Sequence, residues 1–186
     1  MSRFDAERRA AAVVLPIFAA PPHGVLFVQR ATHLRHHPGQ IALPGGGLDP
    51  EDEGDLERAA LRELHEEVGI DASRVTILGR LPTVSPRVNL FDVTPFVAAI
   101  APGELRIDPS ETAGFFTVPL ATILSDALRD GSVSISGFQV ETPLLDYEGH
   151  RIWGMTGRIL RDFTDAWNDA KNDLRARVEA ALAPAL

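Results

Sequence analysis

Apolar residues follow two rhythms along the chain. From Ala10 to Ala20 they run almost unbroken (AAAVVLPIFAA), and after Pro21-Pro22-His23-Gly24 a second run, VLFVQ, follows. Two buried strands joined by a turn are what this pattern predicts, a β-hairpin. Between Gly54 and Ile70 the period becomes helical: Leu61, Leu64 and Val68 recur at i, i+3 and i+7, the spacing of one buried stripe. Asp55 and Glu57 suit the positive first turn of that helix, and Gly69 is placed as its stop. Pro44–Gly47, just ahead, reads as a turn. Further on, VTILGRL and VNLFDVTPFVAAI read as strands joined by a turn-rich loop from Pro82 to Arg87. Phe115–Val118 predicts a strand, with a short helix after Pro119. Ile135 to Trp153 predicts another hairpin, turning at Glu148-Gly149. From about Thr156 a C-terminal helix is expected, with Ile159, Leu160, Phe163 and Trp167 as its core stripe. Strands and helices alternating in this way predict an α/β fold: a mixed β-sheet with the helix near residue 60 on one face and the C-terminal helix on the other.

Composition narrows the class. At 186 residues, 45% of them apolar, the chain can bury a real core, and a single domain spanning residues 1–186 is expected, with no internal repeat. There is no cysteine, which excludes disulfide scaffolds, thiolate metal sites and cysteine nucleophiles. The apolar run at Ala10–Ala20 is shorter than the ~18–20 residues of a membrane span and contains Pro16. Arg8 and Arg9 before it imitate a signal peptide, but Asp5 and Glu7 spoil the positive leader, and a cytoplasmic protein is the expectation. The formal charge of −8 argues against nucleic acid as a partner. A small-molecule substrate is expected instead, without membrane or nucleic-acid partners; the oligomeric state is left open, a homodimer included.

Where the charge sits says more than its sum. No Asp or Glu occurs from Arg8 to Leu48, a stretch holding Arg8, Arg9, Arg30, Arg35 and four of the six histidines. From Asp49 to Glu67 nine acids face only Arg58 and Arg62. On a helix Glu63, Glu66 and Glu67 project together, on the side away from the Leu61–Leu64–Val68 stripe. Like charges three and four apart destabilise an isolated helix by ~0.2–0.5 kcal/mol per pair, so the trio wants a counter-charge. Arg62, one turn before Glu66, neutralises one of them. A hard divalent cation with oxygen ligands answers the others, and a solvated acidic face is the competing reading. Zinc is disfavoured, since no HExxH arrangement exists and His65 points elsewhere.

These residues also carry a family resemblance. Gly47 to Ile70, GLDPEDEGDLERAALRELHEEVGI, resembles the Nudix box, G-x5-E-x7-R-E-U-x-E-E-x-G-U with U apolar. Gly47, Glu53, Arg62, Glu63, Leu64, Glu66, Glu67, Gly69 and Ile70 fill its fixed positions. Eight residues rather than seven separate Glu53 from Arg62, a loop one residue longer. Upstream, Leu26 to Gly46, LFVQRATHLRHHPGQIALPGG, is similar to the signature of coenzyme A pyrophosphatases, L-L-T-x-R-[SA]-x3-R-x3-G-x3-F-P-G-G. Leu26, Arg30, Ala31, Arg35, Gly39, Pro44, Gly45 and Gly46 match; Phe27, Val28 and Leu43 depart from it.

The resemblance implies a Nudix-type α/β/α sandwich and an enzyme that cleaves a nucleoside diphosphate linked to another group, using Mg²⁺ or Mn²⁺. It implies Glu63, Glu66 and Glu67 as metal ligands with a carbonyl near Gly46, and Glu63 as ligand or general base. Arg62 would orient the carboxylates, and Glu111, in the loop before the Phe115 strand, would act as ligand or base. Arg30 and Arg35 would grip phosphates, and Arg87 could reach one. The implied reaction converts coenzyme A to 3′,5′-ADP and 4′-phosphopantetheine. Alternatives are a Nudix hydrolase of ADP-ribose, NADH or a dinucleoside polyphosphate, and a non-catalytic Nudix ligand sensor.

Overall fold

A computed structural model describes residues 8–34, 37–85, 90–135 and 137–183. Its first strands are β1 (Arg9–Phe18), β2 (Gly24–Arg30), β3 (Ile41–Ala42) and β4 (Gly45–Gly47). A 3-10 turn (Pro50–Asp52) leads to helix α1 (Leu56–Val68). Strands β5 (Val75–Arg80), β6 (Phe91–Ile100) and β7 (Thr112–Pro119) follow, then the short α2 (Leu120–Ile123). The chain ends in β8 (Arg129–Ile135), β9 (Phe138–Tyr147), β10 (His150–Ile152), α3 (Gly154–Asn168) and α4 (Leu174–Leu182).

Strands β1 to β7 form one mixed sheet, and β10, β9 and β8 form a second, antiparallel one. β1 is the hub. It runs parallel to β6 over its whole length, while its other edge pairs with β4 near its start and with β2 near its end. Alternate residues of β1 face opposite layers, as the pleat requires. Ala12 and Val14 pack with Leu26, Val28, Phe96 and Ala98 under Ala59, Ala60, Leu64 and Val68 of α1. Ala11, Val13, Leu15 and Ile17 pack with Phe27 and Val97 against Ile159, Leu160 and Phe163 of α3 and Leu174 and Val178 of α4. The three layers are the α/β/α arrangement expected from the pattern.

Several elements differ in detail from the sequence reading. The glycines expected as a turn form strand β4 against β1, where a Cβ on Gly45 would collide with the Ala12 carbonyl. The stripe of α1 runs through Ala60, Leu64 and Val68; Leu61 is only half-buried, on the outer face beside Arg58 and His65. Ala59 and Ala60 join Leu64 and Val68 on the buried face of α1, and Leu61 lies outside it. β8 pairs with β9 along its length and was not foreseen. The C-terminal helix starts at Gly154 and breaks after Asn168: Asp169 accepts from the Lys171 N–H and Asn172 from the Leu174 N–H, local bonds that compete with helix. Among the described residues no helix is long and apolar enough to cross a membrane.

Candidate active site

Helix α1 starts on a built cap: the Asp55 side chain accepts from the Glu57 and Arg58 N–H groups. It ends at Gly69, whose φ of 70° only glycine adopts freely. Between these ends, β4 presses against one flank. Gly45 has a φ of 147°, and a Cβ there would lie 2.3 Å from the Ala12 carbonyl oxygen. Its N–H donates to Glu67 Oε2 at 3.1 Å. A Cβ on Gly46 would lie 2.3 Å from Glu63 Oε1. Both carboxylates therefore rest on side-chain-free backbone.

This changes how the trio faces. Glu63, Glu66 and Glu67 do not project together away from the core: Glu67 is only 4% exposed and turned inward, the Glu63 side chain is mostly buried, and Glu66 faces solvent. β4 lies against the Glu63–Glu67 edge of α1 and shields it from water. Each carboxylate has a protein partner: Gly45 N–H for Glu67, and Arg62 Nη1, 3.0 Å from both, for Glu63 and Glu66. Among the described residues no three His, Asp or Glu side chains converge at ligating distance. Glu63 and Glu66 share the Arg62 guanidinium, while Glu67 turns to the backbone of β4.

Burial pushes the Glu67 carboxyl up to about 8; the Gly45 N–H opposes the shift, Glu63 and Glu111 add to it, and Arg30 opposes it. Burial likewise raises Glu63, against the pull of Arg62, with Glu66 and Glu111 adding to the rise. Glu111 is thus near enough for its charge to be felt by both inner carboxylates. Its loop is tied in place: Asp108 N–H donates to the Glu67 carbonyl at 3.2 Å, and the Ala31 N–H to the Glu111 carbonyl at 2.8 Å. Arg30 closes β2 beside this loop, half-buried, with a buried Nε that has no hydrogen-bond partner among the described residues. Arg35 and Arg87 lie outside the described residues.

Arg62 does more than neutralise Glu66. Its Nε and Nη2 reach the two oxygens of Asp52 at 3.1 and 2.9 Å, Nη2 also donates to the Gly47 carbonyl, and Nη1 bridges Glu63 and Glu66. These bonds hold the guanidinium well above its ordinary pKa and Asp52 below the usual carboxylate range. Sequence reasoning missed Asp52. Glu53, which fills the box position, is exposed and pairs with Arg58. The signal was legible, however: Asp49-Pro50-Glu51-Asp52 has an acidic cap, proline at the first helical position and an acid three residues on, and Asp52 does accept from the Asp49 N–H at 2.8 Å.

A family model described as "NUDIX domain" matches residues 7–135. The chain belongs to the Nudix family. The uncharacterized Nudix hydrolase NudL of Enterobacter sp. (strain 638) is 40% identical over 168 residues, covering 87% of this chain and 84% of that one. The NudL of Salmonella typhimurium is 40% identical over 164 residues, with the same coverage. Among solved structures, the Nudix hydrolase RenU of M. smegmatis is 28% identical, with a TM-score of 0.51 over 61% of this chain and 72% of its own. A MutT/nudix family protein from Enterococcus faecalis reaches a TM-score of 0.56 at 16% identity, over 98% of this chain and 70% of its own, a likeness of fold. The Nudix domain of Shewanella oneidensis NrtR, complexed with ADP ribose, gives 0.51 at 22% identity over 65% of this chain and 78% of its own. Nudix hydrolases generally use divalent cations such as Mg²⁺ or Mn²⁺. In this Nudix hydrolase the acidic half of the box lies on α1, between β4 and the Glu111 loop.

Proposed function

We propose that this Nudix hydrolase splits the diphosphate of coenzyme A, free or derivatised, into 3′,5′-ADP and 4′-phosphopantetheine. The observation that carries the reading is continuity. The Leu26–Gly46 stretch that resembles the coenzyme A signature runs directly into the buried acids, its Arg30 felt at Glu67 and its Gly45 and Gly46 beneath Glu67 and Glu63. A substrate with a diphosphate and a separate 3′-phosphate needs fixed cations, and guanidinium groups grip phosphate bidentately. Arg30, Arg35 and Arg87 fill that role in this reading.

The acidic side chains suit a divalent cation. Glu67 is buried with a single backbone donor, and its carboxyl, pushed to about 8, ionises fully at neutral pH once a positive charge stands beside it. Glu63, Glu66, Glu67 and the Gly46 carbonyl offer only oxygen, the donor set of Mg²⁺ or Mn²⁺. Such a cation neutralises charge building on the phosphoryl oxygens. The protein's own groups do the rest. Arg62 orients Glu63 and Glu66 through its bridging Nη1. A carboxylate oxygen of Glu63 or Glu111 accepts the proton of the attacking water. The water oxygen bonds to one phosphorus, the bond from that same phosphorus to the bridging oxygen breaks, and the departing phosphate keeps the bridging oxygen.

Incubating the protein with coenzyme A and Mg²⁺ or Mn²⁺, with products identified by mass, tests this; 3′,5′-ADP and 4′-phosphopantetheine are expected. Faster turnover of ADP-ribose, NADH or a dinucleoside polyphosphate would reassign the substrate. Nucleotide binding with no turnover of any would make the chain a ligand sensor and end the enzymatic reading.

A further inference from the structure

We propose that His33 is a positioning residue for this hydrolysis, fastening the Glu111 loop beside the buried carboxylates. The inference rests on the reading above, in which Glu111 serves the reaction. His33 Nε2 lies 3.0 Å from the carbonyl oxygen of Ser110, 77 residues away in sequence. A carbonyl only accepts, so the ring nitrogen carries the proton and donates. One peptide further on, the Glu111 carbonyl accepts from the Ala31 N–H at 2.8 Å. The loop is held from its other side by α1: Asp108 N–H donates to the Glu67 carbonyl, and the Asp108 carboxylate accepts from the Ser110 N–H at 2.8 Å and its hydroxyl at 2.7 Å.

The four residues Asp108–Glu111 are thus clamped between the helix that bears Glu63 and Glu67 and the loop that follows Arg30. His33 is the side chain in the clamp that comes from the Arg30 side. It is exposed and absent from both cores, so the global fold does not depend on it. Its loss frees the Ser110–Glu111 peptide to swing, and a reacting group misplaced by about 1 Å costs up to ~10²-fold in rate. Arg30 stays in place regardless, held by the Gln40 and Gly39 backbone bonds and by β7. The effect therefore falls on kcat and spares KM.

The test is a double-mutant cycle with Mg²⁺ and whichever substrate of the coenzyme A, ADP-ribose, NADH and dinucleoside polyphosphate panel the wild type turns over fastest. H33A is expected to lower kcat about ten-fold with KM within about two-fold. H33Q, whose amide N–H reaches as far as Nε2, is expected to recover most of that loss. In an E111Q background H33A is expected to add nothing, the signature of two residues acting as one unit. An unchanged kcat in H33A, or losses that add in the double variant, would overturn the proposal. Full activity in E111Q would overturn it too while leaving the hydrolase reading intact. Full activity in E67Q would instead sink the site itself.

Discussion

Two buried acids flank the start of this site and behave in opposite ways. Asp52 is 1% exposed and Glu67 4%, so water has left both. Asp52 receives two bonds from Arg62 and one from the Asp49 N–H, and its carboxyl is held below the usual range. Among the described residues Glu67 receives a single backbone N–H, and it is pushed up to about 8. Both carboxyls are closed to water, but Glu67 lies deeper in the protein and has fewer donors, and the two differences together set it apart from the ion-paired Asp52. A carboxylate with its cation built into the chain stabilises the loop that contains it. One left under-compensated beside two more acids and an arginine is where the proposed function places an outside positive charge.

The sharpest way to break that contrast is Glu67→Gln. It should cut kcat by at least about 10³-fold, as loss of a group acting on transition-state charge does, while circular dichroism and melting show an intact fold. The fold survives because the amide oxygen still accepts from Gly45 and no ionisable group is left in the buried position. Appreciable turnover in this variant would remove Glu67 from the site. Asp52→Ala should do the reverse. Stripping a buried arginine of its main partner costs about 3 kcal/mol, read from denaturant unfolding, with a loss of activity secondary to the freed Arg62. A change below about 0.5 kcal/mol would make the Asp52–Arg62 pair ornamental. Gly46→Ala is the mildest. Its new Cβ meets the flexible end of Glu63 rather than backbone, so kcat should fall about ten-fold with little loss of stability. An unperturbed kcat would mean that Glu63 need not rest there.

These contrasts also show what the sequence could and could not carry. The helical half of the box was legible because helix spacing, the Asp55 cap and the Gly69 stop are local, and local chemistry decided them. The central hairpin and the layers were legible because long apolar runs admit few arrangements. What failed was set by non-local contact. That Glu67 faces inward and Leu61 outward depends on how closely β4 approaches α1, which three glycines permit without announcing it. That Asp52 rather than Glu53 meets Arg62 depends on one residue of loop register, which motif matching assigned to the neighbouring acid. The break after Asn168 was carried by two short side-chain bonds inside a polar run.

The central claim, a buried carboxylate whose charge awaits a divalent cation, is most directly tested by the melting temperatures of wild type and E67Q from pH 5 to 9, with and without Mn²⁺. An acid raised from its ordinary value of 4.5 to about 8 binds more protons in the folded state than in the unfolded state between those limits. Its contribution to stability is therefore whole below about 4.5 and is lost as pH climbs through about 8. Without Mn²⁺ the wild type should lose stability relative to E67Q across that window; with Mn²⁺ it should keep or regain it, while E67Q hardly responds to the metal. Parallel curves for the two proteins, or an equal Mn²⁺ response in both, would contradict the account.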